Sequence, residues 1–169
     1  MRQAVSANPA FASNSVADGR SDASGRAEFI SFAIGDDQYG VDIMSVREIK
    51  EWSNVSHLPK QPEYVRGVLN LRGIMVPVVD LRCRFGEGLT EPTPTHIIIV
   101  VQIDDRPIGL LADRVLDIVS FERGQIQPVP RTVASAGAEF LSGLVSGDNM
   151  MIALIDLANL LSTKTASAA

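Results

Sequence analysis

Paired carboxylates are the first constellation to test in this chain, because two acids at a fixed spacing can share general acid–base work. Asp80 and Asp156 stand at matched places in two similar stretches. Each stretch reads as a strand followed by a helical turn, so each aspartate is an N-cap in its own lobe. There a carboxylate accepts backbone N–H bonds and favours the helix dipole. The two are not a catalytic pair. His57 and His96 have no His, Cys or Asp at metal-ligand spacing; the first lies in a polar connection and the second begins a strand. Gly143 to Gly147 reads GLVSG, which is not the G-x-S-x-G elbow, and no glycine-rich phosphate cradle is present. A lone cysteine, Cys83, can make no internal bridge and suits a reducing compartment. These residues predict no catalysis, no metal and no cofactor.

The elements that would position any site are written twice. Residues 29–81 and 97–157 run in parallel: Gly40 to Val46 matches Gly109 to Val115, and Gly67 to Asp80 matches Gly143 to Asp156, thirteen residues each. Only the middle interval differs, by seven residues in the second copy, where Thr132 to Ala138 supplies small turn formers. Two copies are too few for a solenoid, so a pair of modules about a pseudo-two-fold is expected.

Strands dominate both copies. Phe29 to Ile34 is apolar on both faces and turns at Asp36-Asp37 into Gln38 to Val41; Ile97 to Ile103 turns at Asp104-Asp105 into Pro107 to Leu111. Val65 to Leu71 and Ile74 to Val79 form a hairpin about Arg72-Gly73, and Leu141 to Ser146 pairs with Met150 to Ile155. Pro77, inside a strand pattern, belongs on an edge or at a bulge because it cannot donate to the ladder. Short helical pieces are expected at Asp42 to Val46, Asp80 to Phe85 and Asp156 to Leu161. Many short strands with close turns predict a mainly all-β protein of two small barrels.

Composition sets the outer bounds. Hydrophobic content of 46% with 21% charge is ordinary for a globular chain. The net charge of −5 argues against nucleic acid, whose phosphates call for Lys and Arg. No apolar run approaches the ~20 residues of a membrane span, and no secretion signal opens the chain; a cytoplasmic location is expected. Residues 1–26 and 163–169, poor in large apolar side chains, are expected to be mobile tails around a folded part at 27–162. Within it, lobe one is placed at about 27–90, completed by the C-terminal helix, and lobe two at about 91–155.

Three features ask for a partner. Arg72 interrupts an apolar hairpin, Glu48 stands among Val46, Arg47 and Ile49, and Trp52, Val55 and Leu58 add apolar surface in a polar connection. Together with FAIGDDQYGVDIMSVREI (Phe32 to Ile49), GVLNLRGIMVPVVDLR (Gly67 to Arg82), IGLLADRVLDIVSF (Ile108 to Phe121), QIQPVP (Gln125 to Pro130) and FLSGL (Phe140 to Leu144), they make the chain similar to the CheW family of bacterial chemotaxis adaptors. The likeness runs from about Glu28 to Leu161, and the NLRG turn before VPVVDL is its most specific part.

The resemblance implies two intertwined five-stranded SH3-like barrels, no catalysis, and a coupling role between chemoreceptors and the histidine kinase CheA. It implies a receptor-facing groove of Val46, Glu48, Gly67, Arg72 and Ile118, with the repeat-equivalent segments of both lobes lining one cleft. It also implies docking of the CheA regulatory domain barrel-end to barrel-end, and recruitment to membrane-associated receptor arrays without membrane insertion. Arg114 departs from the glycine common in the family and adds bulk and charge beside the groove. Two other functions remain open from the residues: a scaffold for a receptor–kinase pathway of surface motility or biofilm control, and a small-ligand-binding β-barrel, which an accessible polar pocket would favour.

Overall fold

The computed structural model describes residues 25–130, 137–147 and 149–161; the expected tails lie outside these, apart from Gly25 and Arg26. Among the described residues the chain forms ten strands and two one-turn helices. The strands are β1 (Arg26–Ile34), β2 (Asp37–Asp42), β3 (Val46–Glu51), β4 (Val65–Leu71), β5 (Ile74–Asp80), β6 (Ile97–Ile103), β7 (Arg106–Ala112), β8 (Arg114–Glu122), β9 (Leu141–Ser146) and β10 (Met151–Ile155); α1 is Leu81–Arg84 and α2 is Leu157–Leu160.

They make two five-stranded sheets, in the orders β8-β1-β2-β10-β9 and β3-β6-β7-β5-β4. The first contains the opening hairpin of copy one and the last three strands of copy two; the second contains the reverse. The boundary is therefore not 27–90 against 91–155, because the lobes have exchanged strands. The crossings are short: a 3-10 turn at Ile43–Ser45 capped by Asp42, and Asp113 alone. The parallel pairs β2–β10 and β5–β7 join the exchanged pieces.

The exchange explains why β1 and β6 are apolar on both faces. Phe29 packs with Val145, Ile152 and Leu154 inside the first lobe, whereas Ile30, Phe32 and Ile34 face a central core shared by both lobes. On β6, Ile98 and Val100 fill the second lobe while Ile99 and Val101 join the centre. A strand covered on both sides reads as a continuous apolar run. Each large side chain fully buried there, such as Phe32 or Leu110, stabilises the fold by roughly 2–3 kcal/mol.

Turn chemistry follows the residues. Asp104-Asp105 and Arg72-Gly73 take positive φ at both positions, the mirror-image turns that match strand twist. The first hairpin turns one residue earlier than expected, at Gly35-Asp36, and Asp37 already pairs with Ile34. Pro77 corrects the edge expectation: β5 is an inner strand between β7 and β4, and the bulge in β4 lies elsewhere, between Val65 and Gly67. Pairing of β5 to β7 begins only at Val78, so Pro77 sits just outside that ladder.

Both aspartate caps form. Asp80 accepts from Cys83 N–H and Asp156 from Asn159 N–H. The lobes are further tied where they cross. Arg84 lies over the rings of Tyr64 (4.1 Å) and Phe140 (4.3 Å), which are repeat equivalents, and donates to the carbonyl of Leu160. Asp113 accepts from Gly35 N–H and Arg82, and its other oxygen lies 3.3 Å from His96 Nε2. His96 Nδ1 accepts from Thr93 N–H, so this histidine is locally bonded.

Candidate functional site

Glu48, on β3, and Arg72, in the turn between β4 and β5, meet in the exchanged second lobe. The bulge in β3 between Val46 and Glu48 turns the Glu48 side chain toward the tip of the β4–β5 hairpin. At that tip Arg72 holds φ +51, and Asn70 Oδ1 accepts Gly73 N–H to close the turn. The guanidinium reaches Glu48 Oε2 at 2.5 Å. Arg72 is 76% exposed and Glu48 28%, so the pair itself contributes at most about 1 kcal/mol. A non-glycine residue in left-handed backbone costs roughly 1–3 kcal/mol. Arg72 thus brings the fold little or no net stability, which directs attention to what its side chain meets outside the fold.

Beside the pair lies a hollow of about 250 Å³. Its floor is the mouth of the second barrel, formed by Leu71, Val76 and Val100, and its rim is Arg47, Gln102 and Pro107. Arg47 donates to Gln102 across β3 and β6. None of these flooring residues is marked by the local sequence. Alternation places Leu71, Val76 and Val100 inside a barrel, but only the strand exchange brings β6 and β7 under the Arg72 turn.

The other residues expected in the groove fall in different places. Val46 packs against the central core. Gly67, with φ +146, is buried beneath the segment after β3: a Cβ there would lie 2.2 Å from the Ser56 carbonyl oxygen. That glycine allows Ser56 to bridge β4. Ile118 is 56% exposed on β8, in the other sheet. Arg114 is exposed at the start of β8, opposite Ala33. The repeat-equivalent segments around Glu48 and Asp117 line two hollows, one on each lobe, because the third strand of each copy joins the sheet of the other.

A further hollow of about 620 Å³ lies between the second lobe and α2, lined by Tyr64, Pro77, Arg106, Ile108 and Leu161 among others. No group of titratable residues among the described ones has metal-binding geometry. Three groups among the described residues are perturbed. Burial, with Glu87 and Asp37 nearby, pushes the Tyr39 hydroxyl up to about 12. Burial also pushes the Cys83 thiol up, which works against a reactive thiolate. At Asp113 burial raises the carboxyl, but the Gly35 N–H, the Arg82 hydrogen bond and charge, and His96 together carry it below the usual range. Tyr39 and Asp113 act in packing and in tying the lobes. No helix among the described residues is long and apolar enough to cross a membrane.

Comparison with known proteins agrees with this architecture. A family model described as CheW-like domain matches residues 28–165. A probable chemotaxis protein CheW of Rhizobium etli is 41% identical, the match covering 86% of this chain and 94% of that protein. The protein FrzA of Myxococcus xanthus is 32% identical over 80% of this chain and 86% of its own length. In three dimensions the chain superposes on the scaffolding protein TtCheW of Thermoanaerobacter tengcongensis with a TM-score of 0.74 and 32% identity, covering 80% of this chain and 88% of that one. Two intertwined SH3-like barrels and matches that span nearly the whole folded part place this chain in the CheW family of chemotaxis scaffold proteins.

Proposed function

We propose that the chain is a non-catalytic cytoplasmic adaptor that couples the cytoplasmic tip of chemoreceptors to the histidine kinase CheA in membrane-associated arrays. The observation that carries this reading is the Glu48–Arg72 pair, held at an exposed apolar hollow where it contributes little to stability. In this reading Arg72 and Glu48 fix a receptor helix by polar contact, and Val46 and Ile118 supply apolar contact. Gly67 keeps the loop above β4 close enough to shape the surface. The CheA regulatory domain docks end to end on the barrels, pairing unlike lobes; such heterologous contacts close into rings when the rotation allows. Interfaces of this kind have micromolar affinities, about −8 kcal/mol each, and multivalency holds the array together.

The test mixes the protein with a receptor cytoplasmic fragment and CheA and follows kinase autophosphorylation. Activation that depends on all three components is expected; an unchanged rate overturns the reading. Arg72→Glu places two like charges together and should weaken receptor binding by about tenfold or more, with circular dichroism melts nearly unchanged. A large loss of stability would make Arg72 structural instead.

The likeness to FrzA favours a second reading, in which the same physics serves a receptor–kinase pathway other than swimming. A deletion strain that swims and responds normally but fails in surface movement would select it.

A further inference from the structure

The hollow beside Glu48 and Arg72 has a counterpart on the first lobe, with lining positions related by the repeat. Asp117 stands for Glu48, Met150 for Ile74, Ile152 for Val76 and Ser31 for Val100. Two differences set them apart. Gly147 replaces Leu71 and Ser31 replaces Val100, so the second hollow is wider, about 560 Å³ against about 250 Å³. The cation is also missing, since the sequence has Asp148 where the other copy has Arg72.

Asp117 is exposed, and among the described residues its carboxylate accepts a hydrogen bond only from the neighbouring Ile118 N–H. It takes part in no ion pair among the described residues. Arg114, two register positions along the same strand, makes no ion pair with it, and Arg26 on the neighbouring strand is committed to Ser120 and Glu122. Leu116 and Met150 on the rim are 39% and 42% exposed. The first lobe therefore presents a hollow in which Leu116, Val119, Met150 and Ile152 alternate with Ser31, Gln38, Ser120 and Asn149, and its carboxylate has no cationic partner among the described residues, where the second lobe has its charge answered by Arg72.

We propose that this first-lobe hollow is a docking site for a partner segment that carries an Arg or Lys flanked by aliphatic side chains. The ion pair that Arg72 makes in cis is completed here in trans, at Asp117. Charge sets the choice of partner. An aliphatic segment without a cation would bury Asp117 unpaired, and desolvating a lone carboxylate costs more than a small apolar contact returns. An acidic segment is repelled outright. The site is separate from the Glu48–Arg72 surface and does not depend on which receptor or kinase the chain serves.

The test uses the full-length, nitrogen-15-labelled chain and the peptide acetyl-Leu-Arg-Gly-Ile-Met amide, which copies Leu71 to Met75. Amide shifts are expected at Leu116, Asp117 and Met150. They should weaken by about tenfold when the peptide arginine is replaced by glutamate, or when the protein carries D117N. No shifts up to millimolar peptide, equal binding of the Arg and Glu peptides, or shifts confined to the Glu48 hollow would each overturn the proposal.

Discussion

Asp80 and Asp156 start the same short helix in the two repeats, yet their surroundings have little in common. Asp80 is fully buried: Arg66 Nη1 lies at 2.9 Å, Thr90 donates through both N–H and hydroxyl, and Cys83 N–H completes the set. This network pins the loop after α1 against β4. Asp156 is partly exposed and receives Asn159 N–H, with Ser142 standing where the first copy has Arg66. The hollows diverge in the same manner, one holding a Glu–Arg pair and the other a lone aspartate. Duplication preserved the backbone plan while each lobe took on different polar groups. Features common to both lobes therefore report on the fold, and features present in one report on use.

That distinction can be broken at several points. The largest effect is expected at Asp80→Ala, which leaves Arg66 and Thr90 without their buried partner and should cost about 3–5 kcal/mol. Asp156→Ala removes an exposed cap and should cost only about 1 kcal/mol. Urea titrations of the two variants measure the ratio directly, and equal losses would refute the asymmetry.

Gly67 and Gly143 test the shared plan. A Cβ at Gly67 would lie 2.2 Å from a backbone oxygen at φ +146, whereas at Gly143 it meets the Ile126 Cγ2 methyl at 2.7 Å and the Gln127 oxygen at 3.1 Å. Gly67→Ala should destabilise by about 3 kcal/mol and Gly143→Ala by about 1 kcal/mol, the two ends of the overpacking range. Thermal melts of both, side by side, decide it.

Acid should separate the waist, the crossing between the lobes where Asp113 sits, from the rest. The Asp113 carboxyl is depressed in the folded state, so its contribution is complete above the unfolded value of about 4 and is lost as pH falls through the lower folded value. Asp113→Asn should lower the urea midpoint at neutral pH and flatten its decline below about pH 4. A variant as acid-sensitive as the parent would remove Asp113 from the waist.

The smallest effect is expected at Arg72→Gly. Relief of the left-handed backbone, offset by the lost surface pair and by added chain entropy, should leave stability within about 1 kcal/mol of the parent. Receptor binding in the proposed coupling assay should nonetheless fall, which places Arg72 with use and apart from the fold.

Much of this was legible from the residues because the signals are local. Turn chemistry at Asp104-Asp105 and Arg72-Gly73, caps at Asp80 and Asp156, and the two-residue period of the strands each act within a few positions. The repeat itself announced two like modules. The same local reading put Pro77 at an edge, because alternation shows that a strand is buried without showing how many neighbours it has. At the candidate site the sequence singled out Glu48 and Arg72 but not their floor of Leu71, Val76 and Val100.

What the sequence determined by itself was the set of strands, their turns, their caps and their duplication, since these depend on backbone conformation and near neighbours. Which strands share a sheet was decided by tertiary structure alone. β1 and β6 are apolar on both faces, and two layers can be laid over each only when the copies trade their later strands. That exchange carries Glu48 to Arg72 over a floor drawn from both repeats, and leaves Asp117 facing solvent in the matching place.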